Sequence, residues 1–162
     1  MSAARRPRAQ PRRGKGSFLS QVADELPSHL PPRLRDFSSE KWGSYFKVWY
    51  GAEKRVHFEV QFLRNGRLEI GLHFEADAET NERGASALES KGDAIRKALG
   101  DDVKFTTVGR GWRSVTETWS GGDMRGEEAA TEAASRLAEY VVNLLPLLSA
   151  TGGTGAARGK TS

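Results

Sequence analysis

The chain has 162 residues, 37% of them hydrophobic, and a formal charge of +4, which suits one folded domain of ordinary size. It holds no cysteine, so disulfides, cysteine nucleophiles and thiolate-ligated zinc or iron–sulfur centres are excluded. No apolar run approaches the ~18 residues of a membrane span.

The charge is unevenly divided. Arg5, Arg6, Arg8, Arg12, Arg13 and Lys15 fall within residues 1–16 with no acid among them, whereas residues 17–150 carry 17 basic and 21 acidic side chains, a net of −4. Residues 1–16 and the Gly/Thr-rich residues 151–162 lack the apolar side chains that build a core, and both are expected to be disordered. A single domain over 17–150 remains. The basic start is not followed by an apolar segment, so a secretory signal is not expected, and the expected setting is cytoplasmic, away from membranes.

In chain order, Ser17 is placed to cap a short helix carrying Phe18, Leu19, Val22 and Leu26 on one face and ending at Pro27. The proline-rich PSHLPPRLRDF reads as an extended connector. Residues 44–50 (SYFKVWY) are aromatic and β-prone, and Gly51-Ala52-Glu53 turns them into a second strand. Residues 55–62 then alternate, with Val56, Phe58, Val60 and Phe62 on one face and Arg55, His57, Glu59 and Gln61 on the other. Residues 68–75 repeat the pattern, with Leu68, Ile70, Leu72 and Phe74 against Glu69, Gly71, His73 and Glu75.

A two-residue Asn65-Gly66 turn would set Phe62 opposite Glu69. A three-residue loop with Gly66 in the left-handed conformation instead pairs Phe62 with Leu68 and His57 with His73, so burial selects the bulged hairpin. Residues 79–99 read as a helix that Gly84 and Gly92 weaken. Two short strands follow, Val103–Thr107 and Trp112–Trp119. From Glu127 a last helix presents Ala130, Ala133, Leu137, Tyr140, Val141, Leu144 and Leu148 on one stripe, with a kink or end expected at Pro146. The fold class is α+β: an antiparallel sheet of about five strands with helices on its apolar face.

Several chemistries fall away on spacing. The tail GGTGAARGKTS resembles a phosphate-binding loop, but the motif needs glycine five positions before Gly159 and Thr154 stands there. No Gly-x-Ser-x-Gly elbow is present, and His29 lies in the connector, where solvation is expected. No bound cofactor is implied. On the outer face, His57 and His73 are opposed, with Glu59 and Glu75 one pleat away. Such donors from neighbouring strands suit zinc or manganese. The bland alternative is a solvated polar face of the kind antiparallel sheets often show. A nuclease would want several convergent carboxylates, and Glu59, Glu69 and Glu75 share this face, but an acid-x-lysine pair is missing. Trp42, Tyr45, Trp49, Tyr50, Trp112 and Trp119 are expected in the core, as aromatics of small sheets usually are; exposed, they would form a stacking platform.

The stretch LEIGLHFEADAETNERGASALESKGDAIRKALGDDVKF runs from a strand ending in acids to a helix opened by Asn81, then through Leu88, Lys91 and Ile95 to Leu99-Gly100 and another strand. With the later aromatic strand and the helix RLAEYVVNLLPLL, residues 40–148 resemble a group of uncharacterised bacterial α+β domains, some found beside predicted restriction-type nuclease domains. The resemblance lies in apolar positions, carries over no catalytic residue, and implies an accessory domain near DNA metabolism or defence. The leading expectation is therefore an accessory or interaction domain whose arm (Arg5, Arg6, Arg8, Arg12, Arg13, Lys15) contacts nucleic acid. The alternatives are a metal-dependent hydrolase or nuclease using His57, His73, Glu59 and Glu75, and a protein-binding module with an aromatic surface.

Overall fold

The computed structural model describes residues 14–122 and 124–150. Arg5, Arg6, Arg8, Arg12, Arg13 and the 151–162 tail lie outside the described residues. Lys15 lies inside them, as the first residue of helix α1 (Lys15–His29), where its ammonium sits over the Phe62 ring. The helix starts before the expected cap Ser17, at Gly14, whose carbonyl accepts from the Phe18 N–H at 3.1 Å. It also runs through Pro27. The buried stripe of Phe18, Leu19, Val22 and Leu26 is complete by then, so the proline removes one hydrogen bond from the last turn only. The carbonyls of Pro27 and Leu30 at that end accept from Arg35 Nε at 2.9 and 3.1 Å.

Six strands form one antiparallel sheet in the order β1-β2-β3-β4-β6-β5. The strand absent from the sequence reading is β1 (Ser38–Trp42), which pairs with β2 (Tyr45–Trp49) from Ser38↔Trp49 to Trp42↔Tyr45. Its residues, SSEKW, bury nothing, because an edge strand is held by its ladder and needs no apolar face. Strands β3 (Val56–Phe62) and β4 (Leu68–Phe74) pair in the register that burial selected, from Val56↔Phe74 to Phe62↔Leu68. Gly66 takes φ +79° in the loop, and Leu63 N–H donates to Arg67 O at 2.8 Å.

The expected helix 79–99 is two helices, α2 (Ala78–Glu89) and α3 (Gly92–Leu99), broken at Ser90-Lys91. Asp77 caps α2, accepting from Thr80 N–H. Gly84 lets α2 lie against β4: a Cβ there would stand 2.4 Å from Phe74 Cε1. Buried Asn81 ties the α2 start to the β5–β6 turn, bonding Ala76 N and O at 2.9 Å and Gly111 O at 3.1 Å. Strands β5 (Lys104–Val108) and β6 (Trp112–Trp119) form the second hairpin, with β6 inserted beside β4. Helix α4 (Glu127–Ala150) continues past Pro146. No described helix is long and apolar enough to cross a membrane.

The four α-helices of the described residues pack on one side of the sheet. Phe46, Val48, Phe58, Val60, Ile70 and Leu72 form that side of the sheet and are buried against them. Glu117 on the same side is held by Arg136 Nε (2.8 Å), Tyr140 Oη (2.9 Å) and Trp119 Nε1 (2.7 Å). Of the aromatics expected in the core (Trp42, Tyr45, Trp49, Tyr50, Trp112 and Trp119), none is fully buried: Tyr50 and Trp119 are half-buried and pack against it, while Trp42 and Trp112 are 72% and 41% exposed. The core itself is filled by phenylalanine, aliphatic side chains and Tyr140.

Candidate metal centre on the open face of the sheet

The register fixes what the opposite face displays. Three rows run across the strands: Trp42–Tyr45–Gln61–Glu69–Thr118, then Glu40–Lys47–Glu59–Gly71–Thr116–Lys104, then His57–His73–Ser114–Thr106. No described helix covers them. Yet His57, Glu59 and His73 are only 2%, 4% and 9% exposed, so at these positions the face is not the solvated one weighed as the alternative but a cluster whose members shield one another.

Gly71 stands at the middle of this face. Its neighbours across the sheet are Glu59 and Thr116, and Glu69 and His73 flank it along β4. In an extended strand, residues four apart are separated by about 13 Å at Cα. Even so, His73 Nε2 and Glu69 Oε1 meet at 2.9 Å, because both side chains lean over the gap that glycine leaves. Glu59 Oε1 approaches the same nitrogen at 3.6 Å. Ligand atoms of Glu59, Glu69 and His73 all lie within 4.8 Å of one another.

His57 and Glu75 complete the cluster. The two imidazoles stack at 5.7 Å with 15° between their planes. His57 Nε2 lies 3.5 Å from Glu59 Oε2 and 3.7 Å from Glu75 Oε1, and His73 Nδ1 lies 3.7 Å from Glu75 Oε2. His57 Nδ1 is 3.1 Å from the Lys54 carbonyl. A carbonyl only accepts, so Nδ1–H is the donor there, and Nε2 is turned toward the carboxylates of Glu59 and Glu75. The Nε2 atoms of both histidines are buried without a hydrogen-bond partner; the His73–Glu69 approach is an ion-pair distance that falls outside hydrogen-bond geometry. In so shielded a site the carboxylates need positive charge beside them, which a proton on an imidazole or a bound cation supplies.

Burial works to lower the His73 pKa, but contact with Glu69 and the charges of Glu59, Glu69 and Glu75 outweigh it and hold it above the usual value. Burial likewise raises the Glu69 pKa, and the His73 contact with the Gln61 hydrogen bond (2.7 Å) turns the net direction downward. Lys47 Nζ lies 3.7 Å from Glu59 Oε2. Three carboxylates against one ammonium leave an excess of negative charge that a proton on His73 offsets, and that a divalent cation would offset in its place.

All four residues singled out in the sequence, His57, His73, Glu59 and Glu75, meet in this cluster. Glu69 was recognised only as a residue of the same face. Its part depends on Gly71, and no periodicity reports that two side chains four residues apart on a strand converge. A search of protein families, curated proteins and solved structures finds none that matches the chain.

Proposed function

We propose that the protein is a metal-dependent hydrolase whose divalent ion binds at Glu59, Glu69 and His73 on the open face of the sheet. The observation that carries this reading is the convergence of ligand atoms of Glu59, Glu69 and His73 within 4.8 Å of one another in a shielded site. A mixed nitrogen and oxygen donor set without sulfur suits zinc or manganese. Three protein ligands leave a coordination position for water, whose pKa the ion would lower. His57 and Glu75, beside the ligands, are placed to accept its proton.

The test is titration of metal-free protein with zinc and with manganese, followed by calorimetry and by melting temperature. Binding to the folded state alone should stabilise it by about 2.7 kcal/mol at a hundredfold excess over Kd. Glu59→Gln and His73→Ala should abolish the shift while leaving the metal-free protein folded. A wild-type protein that neither binds nor is stabilised by millimolar zinc or manganese overturns the proposal.

A second reading, the accessory nucleic-acid-binding domain, is favoured by the basic, acid-free residues 1–16 ahead of an acidic body. Electrostatic binding of that kind is steeply salt-dependent. It predicts duplex DNA binding by the full chain at low salt that disappears in a chain beginning at Gly14, the first described residue. Equal affinity of the two chains would count against it.

A further inference from the structure

Beside the carboxylate–histidine cluster a groove of about 400 Å³ runs over β4, β6 and β5. One wall carries Glu69, His73 and Glu75; the floor is Ser114, Thr116 and Thr118, and the far side is Lys104, Thr106, Val108 and Trp112. Lys104 is exposed and makes no ion pair among the described residues. It continues the row Glu59–Gly71–Thr116 across four strands, with Lys104 at one end and the Glu59 carboxylate at the other. Ser114 and Thr116 are buried, and their hydroxyls make no hydrogen bond to another described residue.

These groups define a ligand. An ammonium, free hydroxyls and a divalent ion lining one groove all favour a hard oxyanion. At the margin of the groove, Trp112 offers a half-exposed indole with Val108 beside it, also exposed. An indole face in that position stacks planar rings. We infer that the groove binds a phosphate ester bearing a planar ring, a nucleoside monophosphate being its simplest form, with phosphate between the metal and Lys104 and the ring on Trp112.

The inference rests on the metal reading above and names its substrate class. Hydrolysis would add water across the ester P–O bond: the water oxygen joins phosphorus, the ester bond breaks, and the proton from water passes to the departing alkoxide. Inorganic phosphate and a free alcohol are the products.

The experiment is calorimetric titration of the manganese-loaded full chain with inorganic phosphate, ribose 5-phosphate and adenosine monophosphate. Adenosine monophosphate should bind roughly 5- to 100-fold more tightly than ribose 5-phosphate, as a stacked base provides. Trp112→Ala should erase that difference and leave manganese affinity unchanged. Lys104→Met should weaken all three ligands roughly tenfold or more. Both positions are exposed, and an unchanged melting temperature confirms that neither variant has lost its fold. Manganese uptake without binding of any of the three ligands overturns this inference alone, as does binding that is indifferent to both substitutions. Absence of manganese and zinc uptake overturns the metal reading and this inference with it.

Discussion

Gly71 has φ +152°, backbone that side-chain-bearing residues rarely adopt, and a Cβ there would stand 2.2 Å from Val115 O and 2.7 Å from Thr116 Cα. Both obstructing atoms are backbone, so relief requires β4 and β6 to separate. Gly71→Ala should therefore cost about 3 kcal/mol or more, combining dihedral strain with overpacking, and urea denaturation will measure it. Gly66→Ala, at φ +79° with open space around the site, should cost only about 1 kcal/mol. Equal losses at the two positions would mean that the close approach to β6 is not what makes Gly71 necessary. The same residue opens the gap over which Glu69 and His73 meet, so its substitution should also weaken metal binding in whatever protein still folds.

At the scale of elements, the sheet is joined to α4 by a polar latch set among apolar contacts. Glu117 on β6 receives Arg136 and Tyr140 from α4, and Arg136 also bonds the Leu99 carbonyl at the end of α3 and Glu139 on its own helix. One side chain thereby registers two helices against one strand. Burial, with the charge of Glu117 next, raises the Tyr140 pKa far above its usual value, so the phenol remains a donor at any ordinary pH. Tyr140→Phe should cost about 1 kcal/mol, the net worth of one hydrogen bond. Glu117→Leu should cost more, about 2–3 kcal/mol after discounting for the partial exposure of Arg136, because the guanidinium loses its counter-charge. Chemical denaturation ranks the two; a Glu117→Leu variant as stable as wild type would show the latch to be dispensable.

For the whole molecule, the shifted groups of the cluster shape stability against pH. The raised His73 pKa contributes stability to the metal-free protein that is complete below the unfolded histidine value and is lost as pH rises through the folded one. The lowered Glu69 pKa contributes stability present above the unfolded carboxylate value and lost as pH falls through the folded one. The metal-free protein should thus be most stable at mildly acidic pH, between the two. Metal requires the deprotonated imidazole, so metal affinity should rise over the interval in which metal-free stability falls. Melting curves with and without zinc across this range should diverge as pH increases, and His73→Gln should remove both the alkaline decline and the divergence. Parallel curves would contradict the assignment.

The sequence by itself determined what depends on local periodicity. Alternation through residues 55–75 set the two central strands, and the demand that Phe62 face Leu68 selected the bulged hairpin and so placed His57 opposite His73. The amphipathic stripe of α4 and the α+β class followed in the same way. Tertiary structure decided what periodicity does not encode. Strand β1 exists because β2 offers a free edge, which SSEKW does not reveal. Trp42, Trp49 and Trp112 stay out of the core because phenylalanine, aliphatic side chains and Tyr140 already fill the space beneath the helices, whereas Trp119 packs against that core. Glu69 joins the cluster because Gly71 removes a side chain between it and His73. Local pattern reports which way a residue faces; the distance between two side chains, and whether water reaches them, depends on what the rest of the chain packs around them.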